Sequence, residues 1–266
     1  MPAVSRVDAL VDGMLARGQH SITTEAAAEA LGVPPSQVRV RFSRLTHSGY
    51  VFSPARGLWV AVPPAFRTWG SLPGLQFLDP MMAHLGRSYY VGWLSAAELH
   101  GAAHQRPQVL QVAVDRHVPD RDIGRVHLRF VQRRRVTALP RQQHVVPTGH
   151  VWVATAELTA FDLADEIRLG GGLNNVATVL GELAEDGRLD AGSLAAVAEV
   201  FPLSTARRLG FLLDQTGGAD LAAAVHPIAE RRRSFPADLL APHGEVSGPV
   251  DARWRLVVNA DVEPDL

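Results

Sequence analysis

No cysteine occurs among the 266 residues of the chain. That excludes disulfides, thiolate nucleophiles and cysteine-based zinc or iron–sulfur sites. Lysine is absent as well, so all 26 basic residues are arginine. A Walker A phosphate loop, a Schiff-base amine and the usual carboxylate–lysine nuclease signature each need a lysine, and none can be built here. No GxSxG elbow occurs, which leaves the many Ser, His and Asp residues without a hydrolase setting. No apolar run approaches the roughly 18 to 20 residues that cross a bilayer. The N-terminus also lacks the basic-then-apolar layout of a secretory signal, so a cytoplasmic protein with no membrane partner is expected. There is no internal repeat and no low-complexity tract.

What is present is an ordinary globular composition, 47% hydrophobic and 20% charged, at a length that accommodates two domains. The net charge of −1 conceals a division. Met1 to Pro147 holds 17 arginines and 9 acids, a balance of +8; Thr148 to Leu266 holds 9 and 18, a balance of −9. A basic front half attracts phosphate and an acidic back half resists it, so any nucleic-acid contact is expected in the first half.

The stretch Pro34 to Tyr50, PPSQVRVRFSRLTHSGY, organises that half. Pro35 suits a first helical position, where its missing N–H costs nothing, and Gly49 suits a helix end. At about 100° per residue, Val38, Phe42 and Leu45 share one face, while Ser36, Val40, Ser43 and His47 point the other way, flanked by Arg39 and Arg44. Gln37 and Arg41 lie on the same helix. Arginine binds guanine edges or phosphates, Ser and Gln hydrogen-bond to either, and a valine methyl touches thymine; the outer face therefore has the chemistry of major-groove reading. A plain solvated surface helix is the alternative.

The setting favours recognition. Arg6 to Arg17 carries an apolar stripe, Ser21 to Thr23 suits a short strand, and Thr23 or Thr24 caps EAAAEALGV, which stops at Gly32. Helix, helix, tight turn, helix is the layout of a helix-turn-helix. Tyr50 to Phe52 and Leu58 to Val60 then flank Ser53 to Gly57 as the wing of a winged helix, with Arg56 at its tip. No acid occurs between Glu29 and Asp79, whereas Arg39, Arg41, Arg44, Arg56 and Arg67 all do.

Pro63-Pro64 marks the expected boundary between a winged helix-turn-helix domain, residues 1–64, and a larger domain, residues 65–266. A connector leads to a helix at Met81 to Leu85, a strand at Tyr89 to Gly92, and a short helix capped by Ser95 with Glu98 in the capping-box position. Strands follow at Val109 to Val114 and Val126 to Val131, with a further pair within Val145 to Thr155, giving a small mixed or antiparallel sheet. From Glu157 the pattern is helical, with Gly170 to Gly172 and Gly217-Gly218 as connections, and Trp254 to Val258 is expected to return to the central sheet. The fold class is α+β.

Other chemistry is thin. His100 and His104 have metal-ligand spacing, but Gly101 stops the helix between them and no third ligand is evident. Asp115, Asp120 and Asp122, with Glu98, imitate a nuclease site but are interleaved with arginines. The glycines at 170–172 follow a helix rather than a strand and make a poor phosphate cradle. No cofactor, metal site or catalytic residue is assigned. The runs Arg133, Arg134, Arg135 and Arg231 to Arg233 offer phosphate or partner contacts, the first with the better case because it lies in the basic half.

Taken together, these pieces resemble the antitoxin AbiEi of type IV toxin–antitoxin systems in its actinobacterial form, across most of the chain. The resemblance rests on the winged helix, on MMAHLGRSYYVGWLSAAELHGAAHQRPQVLQVAVDR, on RVHLRFVQRRRV, on PTGHVWVATAELTAFDLAD and on GGLNNVATVLGELAE. It implies a non-enzymatic, two-domain protein. The N-terminal domain binds inverted repeats at its own operon and represses it, and the C-terminal domain counters a nucleotidyltransferase toxin, AbiEii, without a stable complex. DNA contact then falls on Ser36 to His47 and on Arg56. The residue before Glu157 is Ala156 where the family form has proline. Two other classes stay open: a one-component transcriptional regulator whose second domain binds a small ligand or protein, and a nuclease built on the central sheet.

Overall fold

Apolar spacing and a few capping residues account for most of the elements of the computed structural model, which describes residues 6–102, 108–231 and 237–264. In chain order these are α1 (Arg6–Ala16), β1 (Ser21–Thr23), α2 (Thr24–Leu31), α3 (Pro35–His47), β2 (Val51–Ala55), β3 (Leu58–Ala61), α4 (Gly74–Leu85), β4 (Tyr89–Val91) and α5 (Trp93–Leu99). There follow β5 (Val109–Val114), β6 (Arg121–Ile123), β7 (Val126–Gln132), β8 (Arg141–Val146), β9 (Gly149–Ala154), α6 (Ala156–Asp165), α7 (Leu173–Glu185), α8 (Ala191–Ala198), α9 (Leu203–Gln215) and α10 (Ala219–Ala229). Short strands β10 (Asp238–Leu239), β11 (Val250–Asp251) and β12 (Leu256–Val257) complete the described chain. The class is α+β, as expected.

Two compact units divide these residues: Met1–Tyr90 with Gln108–Val136 and Gln143–Trp152, and Val91–Pro107 with Thr137–Gln142 and Val153–Leu266. The division keeps the charge asymmetry. The first unit holds 15 arginines against 8 acids, or +7, and the second 11 against 19, or −8.

In the first unit, α1, α2 and α3 pack with the sheet β1-β3-β2. Thr23 caps α2 by accepting the Ala26 N–H at 3.1 Å, and Gly32 ends it at φ 63°, a left-handed value that costs glycine nothing. Val38 and Phe42 of α3 are fully buried, and the Phe42 ring meets Trp59 of β3 at 5.1 Å. The Trp59 indole N–H donates to Thr24 Oγ1 at 3.0 Å, so one side chain joins β3, α2 and α3.

The hairpin β2-β3 is tighter than its composition suggests. Ser53, Pro54 and Ala55 belong to the strand, with a register shift between Phe52 and Ala55, and only Arg56 and Gly57 form the turn. Pro54 is tolerated because β2 is an edge strand and the irregularity needs no N–H there. Gly57 takes φ 88°.

The helix expected from Met81 begins at Gly74 instead and runs through Pro80. Proline removes the N–H that would bond to Gln76; that carbonyl accepts the Thr148 hydroxyl at 2.6 Å. A Cβ on Gly74 would lie 2.8 Å from Leu110, so the helix start approaches β5 closely, and Phe77 meets Phe52 edge-on at 5.1 Å. Thus α4 ties the hairpin to the larger sheet within the first unit. That six-stranded sheet has the order β6-β7-β5-β4-β9-β8 and is mixed, with β5/β7 and β4/β9 parallel and β6/β7 antiparallel.

Ser95 does not cap α5. The helix starts at Trp93, with Gly92 as N-cap and its carbonyl accepting the Ala96 N–H, which places Ser95 buried inside the first turn.

The second unit is built on α6 and α9, each buried almost throughout. The sequence signal for α9 is misleading at Arg207 and Arg208, 0% and 5% exposed. Arg207 pairs with Asp238 at 2.7 Å, and Arg208 donates to the carbonyls of Ala164, Leu239 and Leu240 at 2.6, 3.2 and 2.8 Å. Burial pulls Arg208 below the usual guanidinium range, opposed by Asp165, Asp238 and Glu166. The two arginines bind the returning chain at β10, which pairs with β12 in a separate sheet, β10-β12-β11. The strand at Leu256 therefore does not rejoin the central sheet. Trp254 is 1% exposed, donates to Asp214 at 2.6 Å and occupies the notch left by Gly210.

Three expectations follow from these contacts. Trp59→Ala should cost about 3–5 kcal/mol, read as a lower denaturant midpoint. Gly210→Ala places a Cβ 2.1 Å from the Trp254 ring and should cost about 1–3 kcal/mol by the same measurement. The Ser193 N–H bond holds the Asp190 carboxyl below its ordinary range. Its stabilisation is present above the unfolded value of about 3.9 and is lost as pH falls through the lower folded value. The stability difference between wild type and Asp190→Ala should then shrink below about pH 4.

Candidate nucleic-acid interface

Because Val38 and Phe42 are buried on one side of α3, the opposite side is fixed outward. Ser36, Gln37, Arg39, Val40, Ser43, Arg44 and His47 are exposed, and Arg41 is half-buried. Val40 is 63% exposed, high for an apolar residue on a helix with an available core face. Pro35 stands at the first position, as the sequence indicates, and Ser48 ends the helix.

Hydrogen bonding sorts the polar groups. Gln37 Oε1 accepts from Arg41 at 3.4 Å, so these two side chains orient one another along the helix. His47 Nδ1–H donates to the Ser43 carbonyl at 2.7 Å, which turns Nε2 outward. Among the described residues, the guanidinium groups of Arg39 and Arg44 make no hydrogen bond or ion pair. Exposed arginines without an ion-pair partner suit a fork of donors for phosphate or a guanine edge.

A groove of about 640 Å³ runs beside this face between α1 and α3, bounded by Val7, Asp8, Gln37, Val40, Arg44 and Leu45. The contribution of α1 to it was not legible in the sequence. The only signal is that Val7 and Leu45 belong to the core stripes of their own helices.

Arg56 stands at the hairpin turn with its side chain exposed and unpaired. Its backbone is tied down: the Arg56 carbonyl accepts from His84 Nε2 at 2.9 Å, and the Gly57 carbonyl accepts the Thr24 N–H at 2.8 Å. The turn is thus a short, anchored platform for one arginine rather than a long projecting loop. Arg67, expected among the cations of this surface, lies over the Tyr50 ring at 3.7 Å. It closes the end of the hairpin and leaves the basic set.

Of the run at 133–135, the Arg133 N–H donates to Val114 at 2.8 Å and extends the β5/β7 ladder, while Arg134 and Arg135 are exposed. Arg135 has φ 57°, which turns the chain after β7. These arginines share the first unit with α3. Arg231 is bonded to Glu199, a contact that raises it above its usual value; Arg232 and Arg233 lie outside the described residues.

The competing sites do not assemble. His100 donates through Nε2 to the Ala154 carbonyl at 2.8 Å, and His104 lies outside the described residues. Asp122 is bonded to His127 at 2.6 Å and Asp120 accepts the Phe130 N–H at 2.9 Å. Among the described residues, no group of three or more His, Asp or Glu side chains is arranged to hold a metal, and no helix is long and apolar enough to cross a membrane.

Comparison with known proteins bears on the rest of the chain. No curated protein matches it. The crystal structure of the RV2827C protein from Mycobacterium tuberculosis is similar, with a TM-score of 0.69 over 94% of this chain and 90% of that one. At 16% identity that likeness concerns the fold. Residues 90–215 match the model of the AbiEi antitoxin C-terminal domain, which takes in α5, the larger part of the six-stranded sheet and α6 to α9. Residues 90–215 thus carry an AbiEi antitoxin C-terminal domain, which supports an antitoxin role in a toxin–antitoxin pair.

Proposed function

We propose that this antitoxin binds double-stranded DNA and represses its own operon. Residues 1–64 serve as the reading module and residues 65–266 counter a nucleotidyltransferase toxin in the cytoplasm. The observation that carries the DNA reading is the outer face of α3. Arg39 and Arg44 stand there exposed and unpaired beside Ser36, Gln37, Val40 and Ser43, in a unit of charge +7.

The physical roles divide by position. In the proposed complex α3 enters the major groove, where Arg39 and Arg44 read base edges and Ser36, Gln37 and Ser43 supply smaller donors and acceptors. Val40 meets a thymine methyl. Arg41, His47 and Arg56 contact the sugar–phosphate backbone, and Arg134 and Arg135 supply further phosphate contacts from the same unit. Binding inverted repeats brings two copies onto one operator, since a two-fold DNA site matches a two-fold protein arrangement. The charge of −8 on the second unit keeps it from lying along DNA and suits contact with a basic protein or none.

Footprinting on the DNA upstream of the gene, with purified wild-type and variant protein, tests this reading. Arg39→Ala and Arg44→Ala should each weaken binding by about 1–3 kcal/mol and relax preference at one base position. Arg56→Ala should weaken binding to all sequences alike and lower the salt slope by about 1. Unaltered protection by Arg39→Ala and Arg44→Ala together would remove α3 from the interface.

A further inference from the structure

The hairpin turn that carries Arg56 and one end of the six-stranded sheet meet at the last turn of α4, all within the first unit. His84, in that turn, donates through Nε2 to the Arg56 carbonyl at 2.9 Å, and a Cβ on Gly57 would lie 3.5 Å from the same ring. Gly86 then ends α4 at φ 61°, and Arg87 and Ser88 lead into β4. The Ser88 carbonyl accepts the Asp115 N–H at 3.1 Å, just past the end of β5. The Val114 carbonyl accepts the Arg133 N–H at 2.8 Å, just past the end of β7. These bonds and the chain itself place Arg56, Arg87, Arg116 and the run at 133–135 in series along one end of the unit.

The segments that meet here, 56–57, 84–88, 115–117 and 132–135, hold six arginines and one acid, Asp115. Asp115 is half-buried with its Oδ1 out of contact with solvent, whereas Arg56, Arg116, Arg134 and Arg135 are exposed. Among the described residues, the guanidinium groups of Arg116 and Arg134 make no hydrogen bond or ion pair. Neighbouring strands lie about 4.8 Å apart, so the two steps from β4 through β5 to β7 cover about 10 Å, and the helical turn from His84 to Arg87 adds about 5 Å. The row is on the order of 15 Å long, the axial length of about four base pairs at about 3.4 Å each. A small anion would occupy one or two of these arginines; a repeating phosphate backbone meets the whole row.

We propose that this end of the sheet is a second phosphate-binding surface for double-stranded DNA, continuous with the hairpin turn. Arg116 and Arg134 contact phosphates beyond the one met by Arg56, and His84 holds the turn beside them. The assignment rests on the reading of α3 and Arg56 as DNA contacts and extends the interface from the winged helix onto the larger domain. Phosphate contacts fix register and affinity and carry no base information, so this surface sets the length of DNA covered and the salt dependence, and α3 sets the preference.

Hydroxyl-radical footprinting and salt titration of the full chain on its own upstream DNA test this assignment. Replacing both exposed arginines, Arg116→Gln with Arg134→Gln, should lower the slope of log K against log salt by about 2 and shorten the footprint by about four base pairs for each bound copy. The ratio of affinities for upstream and unrelated duplexes should stay at the wild-type value. Arg125→Gln with Arg129→Gln removes the same charge from exposed positions in the turn before β7 and in its middle, and should leave both slope and footprint unchanged. If Arg39→Ala with Arg44→Ala weakens binding while the Arg116 and Arg134 pair alters neither slope nor footprint, the second surface is overturned and the reading of α3 stands. Equal losses in the Arg125 and Arg129 pair would also overturn it, since net charge and not contact would then set the slope. A footprint shortened by the Arg116 and Arg134 pair, with binding unaltered in the Arg39 and Arg44 pair, would keep the second surface and remove α3 from the interface.

Discussion

The contact between Phe42 and Trp59, 5.1 Å apart at their ring centroids, decides which way α3 faces. Burying Phe42 leaves a helix of this length one rotational setting, and the residues opposite it are then outward without further instruction. Trp59 is itself held from behind by its hydrogen bond to Thr24, at the first position of α2. The orientation of the proposed reading face is thus a consequence of core packing. Its chemistry comes from the exposed Arg39 and Arg44, on a helix that carries no carboxylate of its own.

The same unit extends beyond the winged helix. Helix α4 continues through Pro80 because Thr148 supplies the hydrogen bond that proline cannot, and its ends reach both the β2-β3 hairpin and the larger sheet. The proline pair at 63–64 lies inside this unit, where Pro64–Phe66 form a single helical turn. In the second unit a different device operates: two buried arginines on α9 and the Gly210 notch hold the returning chain, with Asp238 and backbone carbonyls as partners. A buried ion pair of this kind is weak evidence of net stability, but removing one partner leaves the other stranded.

Local signals in the sequence carried much of this. Pro35, Gly32 and Thr23 bound their helices where capping chemistry places them, and the alternation of VHLRFV marks β7. What was illegible depended on partners distant in the chain. Nothing near Pro80 announces Thr148, nothing near Ser95 announces that the helix begins at Trp93 with φ 49°, and Arg207-Arg208 reads as a solvated helix face until Asp238 and Leu240 are brought to it. Arg67 counted as a free cation until Tyr50 was found beneath it. The exposed face of α3 was readable because periodicity alone fixes it.

The central claim is that an uncompensated arginine face gives this antitoxin both attraction to DNA and preference among sequences. Measuring the association constant for its own upstream DNA and for an unrelated duplex of equal length, across a series of salt concentrations, tests both parts at once. The account predicts that log K falls linearly with log salt for both duplexes, by roughly 0.9 for each phosphate neutralised, with the upstream DNA bound more tightly throughout. Equal affinity for the two duplexes, or affinity for the upstream DNA that does not change with salt, would contradict it.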